Sequence, residues 1–423
     1  MKKHLVILVG AYKPYMSPNG KIMSQLVKSF SEAFRITVLA RKTCFGLPDK
    51  EYIDGEQIIR IGDMNEEVHA YCSAKLVAGT RLNPWYRSLL LFKRGIFFIS
   101  RICRSSSVSS YFCHKIRKAL SKIDQEDRID LIMAASAPHE EVHAAIAWGK
   151  ENSRDVFVFQ MDRFVNAKSL YPLKALKALQ RAGNVRLEKI MLDTAKMIFV
   201  LPPIFEYYKQ QDLETYRKKI MLVEHPLVME RTITATNAMK NWITITYAGS
   251  LDQKLRNPSF LLQVLSTAII QNSTIQANFY SFGNCEEMIA RASQKYSKSI
   301  KQMGKVDSKT IEEKLSSSDI LLTIGNNSDS EVPSKLFEYL SYGKPIIHFF
   351  YSDKDKYMEY LARYPVALCI KIDENKVEEV ANQIVAFANL VKGQHICNST
   401  VRQLYKECTP EYVAHQMIRT MDQ

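Results

Sequence analysis

The chain has no apolar run reaching the ~18 residues that a bilayer-spanning helix needs, so no part of it reads as a transmembrane segment. The opening MKKHLVILVGAYKPY has the basic start of a secretory leader. Its apolar part is only about seven residues and no small-residue cleavage site follows, so it reads as a first strand. Eight cysteines, Cys44, Cys72, Cys103, Cys113, Cys285, Cys369, Cys397 and Cys408, are scattered without a Cys-x-x-Cys pair. That spacing argues against a zinc site and for free thiols in a reducing, cytoplasmic compartment. No internal repeat or low-complexity tract is present. No Ser/His/Asp or paired-carboxylate constellation stands out either, so a dedicated nucleophile–base pair is not expected.

Acidic residues are missing from one long window. Val68 to Ile123 holds 11 Lys or Arg and no Asp or Glu. The same window contains NPWYRSLLLFKRGIFFISRICR, where Trp85, Tyr86, Leu89, Leu90, Phe92, Phe97 and Phe98 alternate with Arg87, Lys93, Arg94, Arg101 and Arg104. Basic residues among aromatics suit an anionic membrane surface. They suit nucleic-acid phosphates equally, and a core helix with a basic outer face carries the same pattern. The window is part of a wider asymmetry. Residues 1–241 hold 38 basic and 24 acidic side chains, the whole of the net charge of +14, whereas residues 242–423 hold 20 of each.

The 423 residues, 46% hydrophobic and 24% charged, are globular in composition and too many for one ordinary core. Strand and helix patterns alternate throughout, the mark of an α/β fold. HLVILVG, RITVLAR, DLIMAAS (Asp130 to Ser136), VFVFQMD (Val156 to Asp162), MIFVLP (Met197 to Pro202) and IMLVEHP (Ile220 to Pro226) read as strands of a first domain, residues 1–226. Ile22, Met23, Leu26, Val27 and Phe30 recur at helical spacing after the turn-rich AYKPYMSPNG. Residues 227–241 are weakly patterned and read as a linker. WITITYAGSL then opens a second α/β series, residues 242–405. The last helix, PEYVAHQMIRTM within 406–423, lies beyond that series and is free to pack on either domain.

The stretch DSEVPSKLFEYLSYGKPII, Asp329 to Ile347, concentrates the polar chemistry. Pro333 suits the first turn of a helix and Gly343 a left-handed stop after it. Leu336, Phe337 and Leu340 form the apolar stripe, while Ser334, Lys335 and Glu338 share another edge. Free backbone N–H groups at such a helix start attract phosphate, and Ser334 and Lys335 add a hydroxyl and a cation there. Glu338, about a turn deeper, can take two hydrogen bonds from a vicinal diol. Phosphates at the tip and a ribose one turn down describe a nucleotide; a capped surface helix with a solvated Lys–Glu pair is the plainer alternative. Upstream, Ile320 to Ile324 reads as a buried strand ending in Gly325-Asn326-Asn327, and KPIIHFF as the strand after the helix. Ligands sit at the carboxyl ends of such parallel strands. YAGSLDQKLRNPSFLLQVL repeats the arrangement: strand, Gly249 turn, polar loop with Lys254 and Arg256, then a helix capped by Asn257 with Pro258 first.

Taken in order, ILVGAYKPYMSPNG, SAPH, VFQMDRF, VEHPL, YAGSL…RNP and EVPSKLFEYLSYGKPI resemble a retaining glycosyltransferase of the GT-B fold, close to family 4 and its bacterial capsule, exopolysaccharide and lipopolysaccharide branch. The resemblance implies two Rossmann-like domains facing across a cleft. It implies that Glu338 binds the ribose of a UDP- or GDP-linked sugar, that Ser334 and Lys335 lie beside the diphosphate, and that Arg256 holds it. Gly20 matches the glycine loop of the first domain near the same phosphates, Gly249 the turn of the donor strand, and Asp162 a polar acceptor or sugar contact. The family's first glutamate, eight residues before Glu338, is replaced by Ser330, with Glu331 the nearest carboxylate. Ser250 stands where a second basic residue is common, and Lys254 is the candidate substitute. Where the family has a histidine near the end of the fourth strand of the first domain, His139 and His143 follow that strand.

Transfer from a nucleotide-sugar requires stabilising the negative charge that grows on the leaving diphosphate, which cations and helix N-termini can do without a metal or other cofactor. The leading expectation is therefore a metal-independent glycosyltransferase, peripheral on the inner face of the cell membrane, acting on a lipid-linked or other glycan acceptor. A nucleotide-sugar epimerase on the same fold is a second reading. A third is a binding protein, either for nucleic acid or as an inactive partner subunit of a transferase. Nucleic acid would ask for basic residues in both halves, and the second half is neutral, so no nucleic-acid partner is expected.

Overall fold

A computed structural model describes residues 2–62, 64–77, 82–165, 174–210, 214–231, 241–327 and 334–422. The chain divides into two compact units, one of Met1–Pro226 with Pro410–Gln423, the other of Leu227–Thr409. Each is a twisted sheet with its own core.

The first unit's sheet comprises β1 (His4–Ala11), β2 (Arg35–Arg41), β3 (Lys50–Ile53), β4 (Glu56–Ile61), β5 (Leu131–Ala135), β6 (Asp155–Gln160), β7 (Met197–Val200) and β8 (Ile220–Leu222). Their order is β3-β4-β2-β1-β5-β6-β7-β8, parallel except for the β3–β4 hairpin at the edge. That hairpin turns on Asp54 and Gly55, both with positive φ, as a two-residue Asp-Gly turn requires. β1 and β5 are buried almost throughout, as befits central strands covered on both faces. Trp148, Phe112, Leu120 and Ile132 lie in the core on one side of them. Three helices, Met64–Val77, Asn83–Ile102 and Ser110–Glu126, connect β4 to β5 and carry most of the acid-free window.

The last helix, Pro410–Met421, packs on the helix Pro18–Ala33 of the first unit. Val413, Ala414, Met417 and Met421 are its buried stripe, at the three- and four-residue spacing that a helix needs to seal one face. The chain leaves the second unit at Thr409 rather than at residue 405. Tyr405 and Cys408 are fully buried, the Tyr405 hydroxyl donates to the Tyr360 carbonyl at 2.7 Å, and the Val228 N–H donates to the Cys408 carbonyl at 3.0 Å.

The second unit's sheet comprises β9 (Ile243–Leu251), β10 (Ile275–Gly283), β11 (Ile300–Gln302), β12 (Ile320–Ile324), β13 (Ile346–Phe350) and β14 (Ala367–Lys371), ordered β11-β10-β9-β12-β13-β14 and wholly parallel. β12 and β13 are buried at all five positions each, which explains their largely apolar sequences; the polar residue in each, Thr323 and His348, is satisfied by the other at 2.8 Å. The weakly patterned stretch begins as part of this unit. Leu227 and Val228 are buried, the Ser341 hydroxyl donates to the Leu227 carbonyl at 3.0 Å, and Asn398 donates to the carbonyls of Met229 and Ser341. Residues 232–240, the remainder of the expected linker apart from Asn241, lie outside the described residues.

In both sheets the chain starts at a middle strand, builds outward on one side, then crosses to the other. The reversal falls between β1 and β5 in the first unit and between β9 and β12 in the second. Loops leaving the carboxyl ends of these strand pairs diverge, and the crevice they leave is where α/β sheets bind ligands.

Candidate functional site

The crevice of the second unit is built from residues that strand order brings together. β9 ends at Gly249-Ser250-Leu251, and the next residues form a tight loop. The Asp252 carboxylate accepts from the N–H groups of Lys254 and Leu255 at 2.9 and 3.0 Å, and Asn284 donates to its other oxygen at 2.9 Å. These bonds hold the Asp252 carboxyl below its usual range. Asp252 and Arg256 then exchange backbone hydrogen bonds across the loop. The result aims Arg256 back over the end of β9. Its Nε donates to Asn326 Oδ1 at 2.6 Å, and one terminal nitrogen donates to the Ser250 hydroxyl at 3.1 Å. Asn326 follows β12, so the first bond spans the reversal point. Two side-chain acceptors on rigid strand ends fix the guanidinium in advance of any ligand.

Lys335 reaches the same place from the other direction. It opens the short helix Lys335–Leu340, whose Leu336, Phe337 and Leu340 are buried as the apolar stripe predicts and which stops before Gly343 at φ 63°. Tyr339 ties this helix to β9, its hydroxyl accepting from the Ala248 N–H at 3.0 Å. The Lys335 ammonium donates to the Ala248 carbonyl and lies 5.3 Å from the centroid of the Tyr247 ring. It also crosses Gly249, whose φ is 138°; a Cβ there would collide with Lys335 Nζ. Its backbone angle is what calls for a glycine, and the missing Cβ leaves room for the end of the lysine side chain. Burial, then the Arg256 guanidinium, lower the Lys335 pKa to about 8, with Glu338 opposing. Two cations thus converge at one strand end, and each makes the other's charge costlier until an anion arrives.

Glu338 lies about one turn further along, partly buried, with one oxygen 3.8 Å from Arg231. Arg231 stacks over the Tyr342 ring at 4.2 Å and reaches Glu312 at 3.6 Å. Ser334 precedes the helix in a helical conformation and makes no side-chain cap hydrogen bond. Glu331, Ser330 and Pro333 lie outside the described residues. Lys254 is exposed and its backbone N–H donates to Asp252; the cation whose pKa the Arg256 charge lowers is Lys335. The next helix begins at Ser259, one residue later than expected, so Pro258 rather than Asn257 takes the cap position, while Asn257 Oδ1 accepts from the Ser259 N–H at 2.9 Å in the turn before it.

In the first unit Gly20 stands inside the first turn of the helix Pro18–Ala33 rather than in the loop before it. Its N–H donates to the capping Ser17 hydroxyl at 3.1 Å, and a Cβ would strike the Ala11 carbonyl oxygen. That close packing of helix on strand is what demands a glycine. Asn19 beside it bridges the reversal point, donating to the Ser136 carbonyl at 3.0 Å and to the Asp162 carboxylate at 2.9 Å. Asp162 is exposed, two residues beyond the end of β6. His139 and His143 flank Phe164, with ring centroids at 4.0 and 5.5 Å. Burial lowers their pKa values to about 3 and about 4, so both are neutral imidazoles at neutral pH.

Asn326, Asn19 and Arg231 are not singled out by the sequence, and Ser250 only as a departure from the family pattern. Asn326 had a signal, a polar residue in the Gly-Asn-Asn loop after a buried strand; Arg231, in a stretch without periodicity, had none. The chain does carry one Asp-x-Asp spacing, Asp353-Lys354-Asp355, but Asp353 pairs with Lys371 at 2.6 Å and Asp355 with the buried His348 at 3.3 Å. Among the described residues no group of three His, Cys, Asp or Glu side chains could hold a metal ion.

No family model and no curated protein matches the sequence. Solved structures do resemble it along its full length. A lipopolysaccharide outer core galactosyltransferase, WaaB, in its apo form, is 11% identical with a TM-score of 0.53, covering 99% of each chain. An E. coli trehalose-6-phosphate structure bound with UDP-2-fluoro glucose is 11% identical with a TM-score of 0.58, covering 100% of this chain and 99% of that one. A putative UDP-N-acetylglucosamine 2-epimerase from Listeria monocytogenes is 9% identical with a TM-score of 0.57, covering 100% and 96%. At such identities the likeness shows the fold, two Rossmann-like domains of the GT-B class.

Proposed function

We propose that the chain is a glycosyltransferase that moves a sugar, with retention, from a nucleotide-sugar to a lipid-linked or other membrane-bound glycan acceptor in bacterial surface polysaccharide synthesis. The observation that carries this reading is the convergence of Arg256 and Lys335 beside Gly249 at the strand reversal of the second sheet. Two cations at that point suit a diphosphate, and Glu338 one turn away suits the ribose diol. The solved structure bound with UDP-2-fluoro glucose and the lipopolysaccharide galactosyltransferase share the fold, which supports a nucleotide-sugar donor.

The chemistry asks little else of the protein. The bond between the sugar's anomeric carbon and the diphosphate oxygen breaks, a bond from the acceptor oxygen forms on the same face, and the acceptor's proton passes to the leaving phosphate. Arg256 and Lys335 stabilise the charge that appears on that phosphate, and because Asn326, Ser250 and Ala248 already hold them, little reorganisation is needed during the reaction. No protein base is assigned. His139 and His143, neutral and buried against Phe164, are suited to shape a pocket wall rather than to carry a proton.

Incubation with a panel of UDP- and GDP-sugars tests the reading. Slow release of nucleoside diphosphate and a sugar of unchanged configuration is expected for one donor. The epimerase neighbour favours a second reading, and the same experiment separates it, since an epimerase returns sugar inverted at one carbon. Failure to bind any nucleoside diphosphate overturns both.

A further inference from the structure

The helix Asn83–Ile102 is where the chain leaves most apolar surface uncovered. At 100° per residue, Trp85, Leu91, Phe92, Ile96, Ile99 and Ile102 fall on one face, and all six are exposed: Trp85 63%, Leu91 65%, Phe92 68%, Ile96 54%, Ile99 62% and Ile102 44%. The opposite side faces the protein. Tyr86 is buried and packs edge-on against Tyr71 of the helix Met64–Val77, and Gln180 of the helix Lys174–Thr194 donates to the Arg101 carbonyl at 2.7 Å. The outward face is therefore a surface feature of the folded unit, too large and contiguous for ordinary solvent contact.

We infer that this face is a membrane-docking surface, on which the helix lies in the plane of an anionic bilayer with its apolar row in the headgroup–acyl boundary. The charge pattern selects that occupant. Arg87 and Arg94 border one side of the face and are exposed, and no carboxylate occurs anywhere from Val68 to Ile123. A wide apolar face with a cationic border suits the interface of an anionic lipid layer. A second copy of the chain suits it less, because pairing two such faces sets the same cationic borders together. The helix does not cross the bilayer; no described helix is long and apolar enough for that. The inference deepens the functional reading only by naming where the chain meets the membrane that holds its acceptor.

The test is sedimentation of the full chain with vesicles of phosphatidylcholine, alone or with roughly one-third phosphatidylglycerol. Binding to the anionic vesicles is expected, weakened by salt. The F92S/I96S/I99S variant, which keeps every charge, should partition at least ~tenfold less, and R87Q/R94Q should lose the preference for anionic lipid. Circular dichroism and thermal melting check that each variant is folded; nucleoside diphosphate affinity reads the second unit, so failure of the donor reading shows there and not in the vesicle assay. Equal partition of wild type and F92S/I96S/I99S overturns the inference. So does absence of vesicle binding, and so does self-association that F92S/I96S/I99S relieves, which would assign the face to a second copy.

Discussion

The charge of Lys335 is tied to what occupies the crevice, which makes its titration a direct probe of the site. In the protein alone, burial and the Arg256 guanidinium bring its pKa to about 8. An unperturbed lysine titrates near ~10.4. A diphosphate beside both cations supplies opposite charge and moves the ammonium back up. The sign follows from linkage. Below pH 8 the lysine is protonated with or without ligand, and its contribution to affinity is level. Above that point and below the raised value, binding must take up a proton, so affinity falls about tenfold per pH unit. With the bound lysine restored to ~10, the loss between pH 8 and pH 10 is about 25-fold, out of a total of about a hundredfold across the whole transition.

Isothermal titration with a nucleoside diphosphate, in buffers of different ionisation enthalpy from pH 7 to 10, reads affinity and proton uptake together. Lys335→Met is the comparison. It should bind more weakly at pH 7 and lack the additional decline, while any titration of the nucleotide itself is common to both proteins. Tyr247, under the ammonium, is pushed up to about 12 and stays neutral across the range. A wild-type slope no steeper than the variant's, with no proton uptake, would refute the claim that Lys335 faces a bound phosphate.

Arg256→Ala should lower kcat on the order of a hundred- to a thousandfold while raising the donor KM far less, because a guanidinium already fixed by Asn326 and Ser250 contributes most when charge develops on the leaving group. Wild-type steady-state kinetics would move the catalytic cation elsewhere, and a KM effect alone would mean ground-state holding. Glu338→Gln should weaken nucleoside diphosphate binding about ten- to a hundredfold, or roughly 1.5–3 kcal/mol, with the melting temperature little changed. Unchanged affinity in the folded variant would remove the ribose assignment.

Elements whose pattern is local can be read almost residue for residue. Ile320–Ile324 is a mainly apolar run, broken only by Thr323, between Asp319 and Gly325, and the strand occupies those five positions, all buried. Pro410–Met421 carries its stripe at helical spacing and forms over that range, but its stripe cannot say which core it will seal. The Lys50–Ile61 hairpin has a readable Asp-Gly turn, yet short edge strands with exposed charges give little alternation to confirm it. Within Val68–Ile123, composition allows a core helix or a docking helix equally. Only packing tells which face Tyr86 takes and which is left to Trp85 and Phe92.

The site divides along the same line. Arg256, Lys335 and Glu338 can each be suspected from local chemistry, although a solvated surface charge has the same local pattern. What joins them is strand order, which is not local. Arg256 meets Asn326 across 70 residues, and Lys335 meets Ala248 across 87. Both contacts exist because β12 is laid beside β9 after the chain has built β10 and β11 on the other side. Gly249 reads from sequence as a bend, and in the fold its missing Cβ also leaves room for the end of Lys335, which bonds the Ala248 carbonyl. Lys254, nearer to Arg256 in sequence and the natural candidate on a linear reading, is carried by the Asp252 turn into solvent. The role proposed for Lys335 as the second cation therefore rests on topology, as does the bond from Arg256 to Asn326.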